Sequence, residues 1–132
     1  MVNYPLNGTS GLVVGSMSPS LENYCIKCGV KKVYSLVLSD DFRYQGKYDF
    51  VLLFSGIEHT GLGAYGDPLD SLGDIREMQK IRCLLREGGL AFIGLPTGAD
   101  GVQFNTKRIY GRGRLPLIDF FHRWLKVSDK IK

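Results

Sequence analysis

Apolar residues fall into short runs separated by glycine-bearing breaks, and the runs alternate between strand-like and helical spacing. Gly11-Leu12-Val13-Val14-Gly15 is continuous and closed by glycine, as expected of a strand buried on both faces. Leu21, Tyr24, Cys25 and Cys28 then recur at helical spacing. Ser18 is the predicted N-cap, Pro19 fits the first helical position, Glu22 lies in the first turn and Gly29 is the stop. Residues 32–38 carry Val33, Leu36, Val37 and Leu38 and predict a second strand; residues 48–55 (YDFVLLFS) predict a third. A glycine-rich loop occupies residues 56–73. The next helix is predicted from about Asp74, with Ser71 or Asp74 as its cap. Ile75, Met78, Ile81, Leu84 and Leu85 form its buried stripe, and Gly88-Gly89 ends it. Residues 90–96 (LAFIGLP) predict a fourth strand. Pro116 precedes Leu117, Ile118, Phe121, Trp124 and Leu125 at helical spacing.

Strand–helix–strand twice over implies an α/β fold: one domain over residues 1–132, with a mostly parallel sheet and helices on its faces. Ligands of such sheets bind at the carboxyl ends of the strands, where strand order reverses. That rule selects residues 15–18, the residues after Leu38, residues 55–63 and residues 96–100. Roughly ten residues separate the second and third strands, fewer than the dozen or more of an ordinary parallel crossover. Extended, they reach only ~33 Å.

Composition narrows the class. A length of 132 residues with 44% hydrophobic and 23% charged residues describes a globular chain with an ordinary core. No run approaches the roughly 18 apolar residues of a membrane span. Residues 1–10 lack a basic region followed by an apolar one, so a secretory signal is not expected and a cytoplasmic setting is the default. Residues 107–132 hold eight Lys/Arg against Asp119 and Asp129, a net of +6, leaving −2 for the rest of a chain whose total is +4. Aromatics do not interleave with these basic residues as a stacking surface requires, so nucleic acid is not an expected partner. Cys25 and Cys28 form a C-x-x-C, but late in a helix, away from the N-terminus where the dipole lowers a thiol pKa. They read as small apolar residues on a helix face; a zinc site would need His59 and Cys83 to converge on them, and no metal is expected.

The order of signals resembles that of class I S-adenosylmethionine-dependent methyltransferases. Val13-Val14-Gly15-Ser16-Met17-Ser18 stands where that superfamily has its glycine-rich first motif, and Tyr48-Asp49-Phe50-Val51-Leu52-Leu53 resembles its fourth. Glu58-His59 resembles the pair often found after that strand, and Leu84-Leu85-Arg86-Glu87-Gly88-Gly89-Leu90 its helix-to-strand turn. A closer resemblance is to the uncharacterised, methyltransferase-like DUF268 family. It runs through residues 55–70 (SGIEHTGLGAYGDPLD), Gly73-Asp74, residues 94–100 (GLPTGAD), residues 105–111 (NTKRIYG) and Arg114-Leu115-Pro116. The resemblance implies a Rossmann-like methyltransferase three-layer sandwich with a shortened sheet, and S-adenosylmethionine as cofactor. The chain departs from the pattern at Val37, where a ribose-binding carboxylate is usual, at Ala64, where the family tends to carry Arg, and at Lys107, where it tends to carry His. It also stops about where the last antiparallel hairpin of such folds would form.

These considerations select Gly15, Ser16, Ser18, Asp40, Ser55 and Gly56 for cofactor binding; Asp40 and Asp41 lie just past the expected ribose position. Methyl transfer needs positioning and sometimes a base. His59 is the candidate base, Glu58 its orienting group or a cation ligand, and Asp67 a ligand for a polar substrate or the methionine amine. The alternative is a structural Glu-His pair that braces a glycine-rich loop, with Asp67 and Asp70 in turn or cap roles. Tyr110 with Arg108, Arg112 and Arg114 either closes over the crevice to attract an anionic acceptor or forms a surface loop anchoring the last helix. The acceptor expected is a small molecule or glycan; the alternative function is a catalytically inactive relative that binds a ligand or partner.

Overall fold

The structure, a computed structural model, describes residues 4–16, 18–36 and 45–119. Four parallel strands form its central sheet in the order β2-β1-β3-β4: β1 is Ser10–Val14, β2 Lys32–Leu36, β3 Tyr48–Phe54 and β4 Leu85–Gly94. Helix α1 (Ser20–Lys27) follows β1 and α2 (Gly73–Leu84) precedes β4. A hairpin of β5 (Gly101–Gln103) and β6 (Lys107–Ile109) and a short helix α3 (Leu115–Asp119) complete the described chain. The predicted α/β class and parallel sheet are therefore observed. Val37, Asp40, Asp41, Phe121, Trp124 and Leu125 lie outside the described residues.

Alternation along the buried strands sends side chains to two cores. Val13, Phe50, Leu52 and Phe92 pack with Cys25 and Leu21 of α1 on one face. Leu12, Val14, Val51, Leu53 and Ala91 pack with Met78, Ile81 and Leu84 of α2 and Ile118 of α3 on the other. Helices thus cover both faces. At the centre, the Phe50 ring lies across Gly11, where a Cβ would stand 2.0 Å from the ring. A glycine is needed there because the Phe50 ring of the neighbouring strand occupies its side-chain space.

Several boundaries differ from expectation. Pro19, not Ser18, immediately precedes α1, and the Ser18 hydroxyl lies 3.0 Å from that of Ser20 instead of capping a backbone amide. Cys25 is buried but Cys28 is exposed, because α1 buries a narrow stripe. Helix α2 begins at Gly73, and Asp74 lies in its first turn. It ends at Leu84 and passes directly into β4. Gly88 (φ 74°) and Gly89 instead fall in an irregularity of β4, between the pairs Tyr48–Leu85 and Phe50–Leu90.

The chain passes outward from β1 to β2, then returns past β1 to β3 and β4. Strand order therefore reverses between β1 and β3, whose carboxyl ends lie side by side, with Val14 paired to Leu53.

Candidate functional site

Gly15 and Ser16 leave β1, and Ser55 and Gly56 leave β3, at this reversal. Gly15 takes a left-handed φ of 70°, and nothing lies within 4 Å of where its Cβ would be. Ser55 takes a φ of 54°, which a residue with a Cβ rarely adopts, and its amide donates to the Gly94 carbonyl at 3.1 Å. Backbone strain of this kind concentrates at ligand clamps and active sites. The Ser16 hydroxyl bonds the Ser18 carbonyl and lies 3.2 Å from Glu22 Oε2. Five of the six residues selected for cofactor binding thus belong to the segments that leave β1 and β3; Asp40 is outside the described residues.

Immediately beyond Gly56, a 3-10 turn (Ile57–His59) buries Ile57 and Glu58. The Ser55 hydroxyl donates to Glu58 Oε1 at 2.5 Å, while Oε2, also buried, has no hydrogen-bond partner among the described residues. His59 Nδ1 stands 2.5 Å from the Thr106 carbonyl. A carbonyl only accepts, so Nδ1 carries a proton and donates it there. Nε2 faces Glu58 Oε1 at 3.6 Å, and the His59 and Tyr65 rings meet in a T-shaped pair with centroids 5.8 Å apart. His59 therefore ties the loop after β3 to the β5–β6 hairpin.

Asp67 serves the loop. Its Oδ2 accepts from the Gly61 amide at 2.5 Å and its Oδ1 from the Tyr65 amide at 3.3 Å. Slight burial raises its pKa, but the backbone amides outweigh this and hold the carboxyl below the usual aspartate range. This is the turn role left open by the sequence. At Gly61 (φ 75°) a Cβ would stand 2.2 Å from the Asp70 carbonyl, so the loop closes on itself only with glycine there.

Sequence reading missed the strongest electrostatic feature, which centres on Asp74. This fully buried carboxylate accepts from Tyr110 Oη at 3.0 Å and, in a fork, from Arg114 Nε at 2.9 Å and Nη2 at 2.6 Å. Arg108, 1% exposed, places Nε 3.8 Å from Asp74 Oδ2 and donates to the carbonyls of Thr60 and Asp70. Burial pushes the Asp74 pKa up, but the Arg114 hydrogen bonds, the two arginine charges and the Tyr110 hydroxyl bring it below the usual range. Burial, followed by the Asp74 charge, pushes the Tyr110 phenol far above its own range. Tyr110, Arg108 and Arg114 thus do not close over the crevice to attract an anion; they are turned onto α2, and Arg112 alone of the four is exposed. The signal available was weak: an aspartate two residues into a helix reads as dipole compensation until its partners are known.

Residues 96–100 lead from β4 into the hairpin. The Pro96 carbonyl accepts from the Tyr110 amide at 2.9 Å, and Asp100 accepts from the amides of Gly111, Gly113 and Arg114 at 2.8–3.0 Å. This turns the segment after β4 toward the hairpin, whereas Gly15 and Ser55 remain at the reversal between β1 and β3. Among the described residues no three His, Cys, Asp or Glu side chains are grouped to hold a metal ion, and no helix is long and apolar enough to cross a membrane.

Residues 35–130 match the family described as "Caenorhabditis protein of unknown function, DUF268"; the match spans more than half of the chain, which belongs to that family. No curated protein and no solved structure matches the chain.

Proposed function

We propose that this DUF268 protein is methyltransferase-like, taking S-adenosylmethionine at the reversal between β1 and β3 for methyl transfer to a small molecule or glycan. The observation that carries this reading is the pair of left-handed residues, Gly15 and Ser55, at adjoining strand ends. The empty side-chain space at Gly15 lets a ligand approach the backbone closely. The strand order and the Glu58-His59 turn just after β3 support it. Gly15, Ser16 and Ser18 form one wall and Ser55 and Gly56 the other, with Asp40 the candidate for the ribose. The bound cofactor would supply an electrophilic methyl on its sulfonium; the chain's own part is positioning. Calorimetry with S-adenosylmethionine and S-adenosylhomocysteine tests the reading, and no binding of either at millimolar ligand overturns it.

A second reading is a methyltransferase-fold protein that binds a ligand or partner without catalysis. It is favoured by the orientation of His59, whose Nε2 faces Glu58 and whose Nδ1 is held by Thr106. Glu58 and Asp67 are likewise engaged within the loop. Cofactor binding without formation of S-adenosylhomocysteine across a panel of glycans and small molecules supports this version. Turnover that vanishes in His59→Ala, with cofactor affinity retained, supports the first.

A further inference from the structure

Ser55 stands where β3, an inner strand between β1 and β4, turns out of the sheet. It is exposed, and its φ of 54° lies in the left-handed region that glycine adopts freely and other residues resist. The backbone is held there from both sides. The Ser55 amide donates to the Gly94 carbonyl at 3.1 Å, and the Gly56 carbonyl accepts from the His59 amide at 3.2 Å to open the 3-10 turn. Gly56 folds back against β3, where a Cβ would stand 3.5 Å from the Leu53 side chain. A glycine at position 55 would relieve the strain at once, yet the position carries a hydroxyl. A strained serine on a strand-to-helix turn of a parallel sheet is the geometry of a nucleophile elbow, which lifts the hydroxyl clear of the strand ends.

The hydroxyl also has a base. Ser55 Oγ donates to Oε1 of Glu58 at 2.5 Å, and Glu58 is only 1% exposed. A carboxylate within hydrogen-bond reach of a serine hydroxyl can take its proton as the oxygen attacks. The Thr106 carbonyl fixes His59 Nδ1, and Nε2 then lies 3.6 Å from the same Glu58 oxygen. Hydroxyl, carboxylate and imidazole thus follow one another within five residues of the chain. The order differs from the familiar serine–histidine–aspartate arrangement, in which the imidazole meets the hydroxyl directly; here the carboxylate does.

We infer that Ser55 is a nucleophile for acyl transfer, with Glu58 as its base, and that the protein hydrolyses carboxylic esters. Ser55 Oγ bonds to the ester carbonyl carbon while its proton passes to Glu58 Oε1. The tetrahedral intermediate then expels the alkoxide, which takes that proton from Glu58 and leaves as the alcohol. A water next gives a proton to Glu58 and its oxygen to the acyl carbon. The acyl–Oγ bond breaks, Oγ recovers the proton, and the carboxylic acid departs. The amide of Gly56, next after the nucleophile, is the donor for the oxyanion. This activity stands apart from methyl transfer and shares with it only the position of Ser55.

The test treats the full chain with an alkyl fluorophosphonate, which phosphonylates an activated serine with loss of fluoride, and maps the adduct by peptide mass spectrometry. Hydrolysis of p-nitrophenyl acetate is followed in parallel. The adduct falls on Ser55, and Ser55→Ala abolishes both the adduct and the ester hydrolysis above the level of free amino acids. Glu58→Gln slows labelling at least about a hundredfold, the loss of a general base. Glu58 is buried, so circular dichroism accompanies each rate; if that variant does not fold, Ser55→Ala, at an exposed position, decides the matter. Absence of an adduct at Ser55, ester hydrolysis unchanged in Ser55→Ala, or a folded Glu58→Gln protein labelled at the wild-type rate overturns the inference. None of these assays contains S-adenosylmethionine, so failure here leaves the cofactor reading standing, and labelling of Ser55 does not depend on it.

Discussion

Replacing Asp74 with alanine removes the common acceptor of Arg108, Tyr110 and Arg114. Its cost follows from what is left behind. Arg108 is 1% exposed and its Nε sits 3.8 Å from the carboxylate, so the direct Coulomb term is about 4 kcal/mol at an effective dielectric of about 20. Desolvation offsets much of that in the intact protein, but not once the partner is gone, because the guanidinium then remains buried with only two backbone carbonyls. Breaking a buried pair in this way costs about 3–5 kcal/mol. A domain of this size has total stability of roughly 5–15 kcal/mol, so Asp74→Ala should sit near the edge of folding. Tyr110→Phe keeps the ring in the core and removes one hydroxyl from a carboxylate that retains Arg114, costing about 1.5 kcal/mol. Urea unfolding followed by circular dichroism measures both. The pH dependence supplies an independent check. The folded pKa of Asp74 is depressed, so its contribution is fully present above the unfolded value of about 3.9 and is lost as pH falls from there through the folded pKa. Acid unfolding of Asp74→Asn should lack that component. An Asp74→Ala protein less than about 1 kcal/mol below wild type would refute the clamp.

Four further outcomes are expected. Gly61→Ala should lose at least about 2 kcal/mol, because strain at φ 75° adds to a clash with the Asp70 carbonyl. Gly8→Ala, at the same φ but in open space, should lose only about 1 kcal/mol; equal losses would show that the close approach is unimportant. In the native protein a thiol reagent should modify Cys28 and Cys83 quickly and Cys25 only on unfolding, since burial both shields Cys25 and raises its pKa; mass mapping of the labelled peptides reads this. His59→Ala should lower hydrogen-exchange protection across residues 101–110 more than in β1, because it cuts the tie from the 3-10 turn to Thr106; unchanged hairpin protection would remove its bracing role.

Local patterning carried most of the secondary structure. The apolar runs at Leu12–Val14 and Phe50–Leu53 and the helical spacing of Met78, Ile81 and Leu84 are properties of neighbouring residues, and burial follows from them directly. The parallel sheet was also legible, because strands alternating with helices imply parallel pairing, and with it the strand ends after β1 and β3 fall on one edge. Boundaries were less so: Gly88-Gly89 reads locally as a helix stop, yet pairing with β3 draws Leu85 straight into the sheet.

The sequence by itself determined the order of elements, their apolar faces and the glycines at which the chain must turn, since each depends on residues a few positions apart. Tertiary structure alone decided the partners of the polar groups. Asp74 lies 34 to 40 residues from Arg108, Tyr110 and Arg114, and Thr106 lies 47 from His59. No periodicity links such positions. Whether a histidine is a free base or a brace, and whether an arginine faces a ligand or a buried aspartate, depends on distances of about 3 Å between segments far apart in the chain. Folding sets those distances, and with them it turns Arg108, Tyr110 and Arg114 onto Asp74 of α2, away from a role over the strand ends.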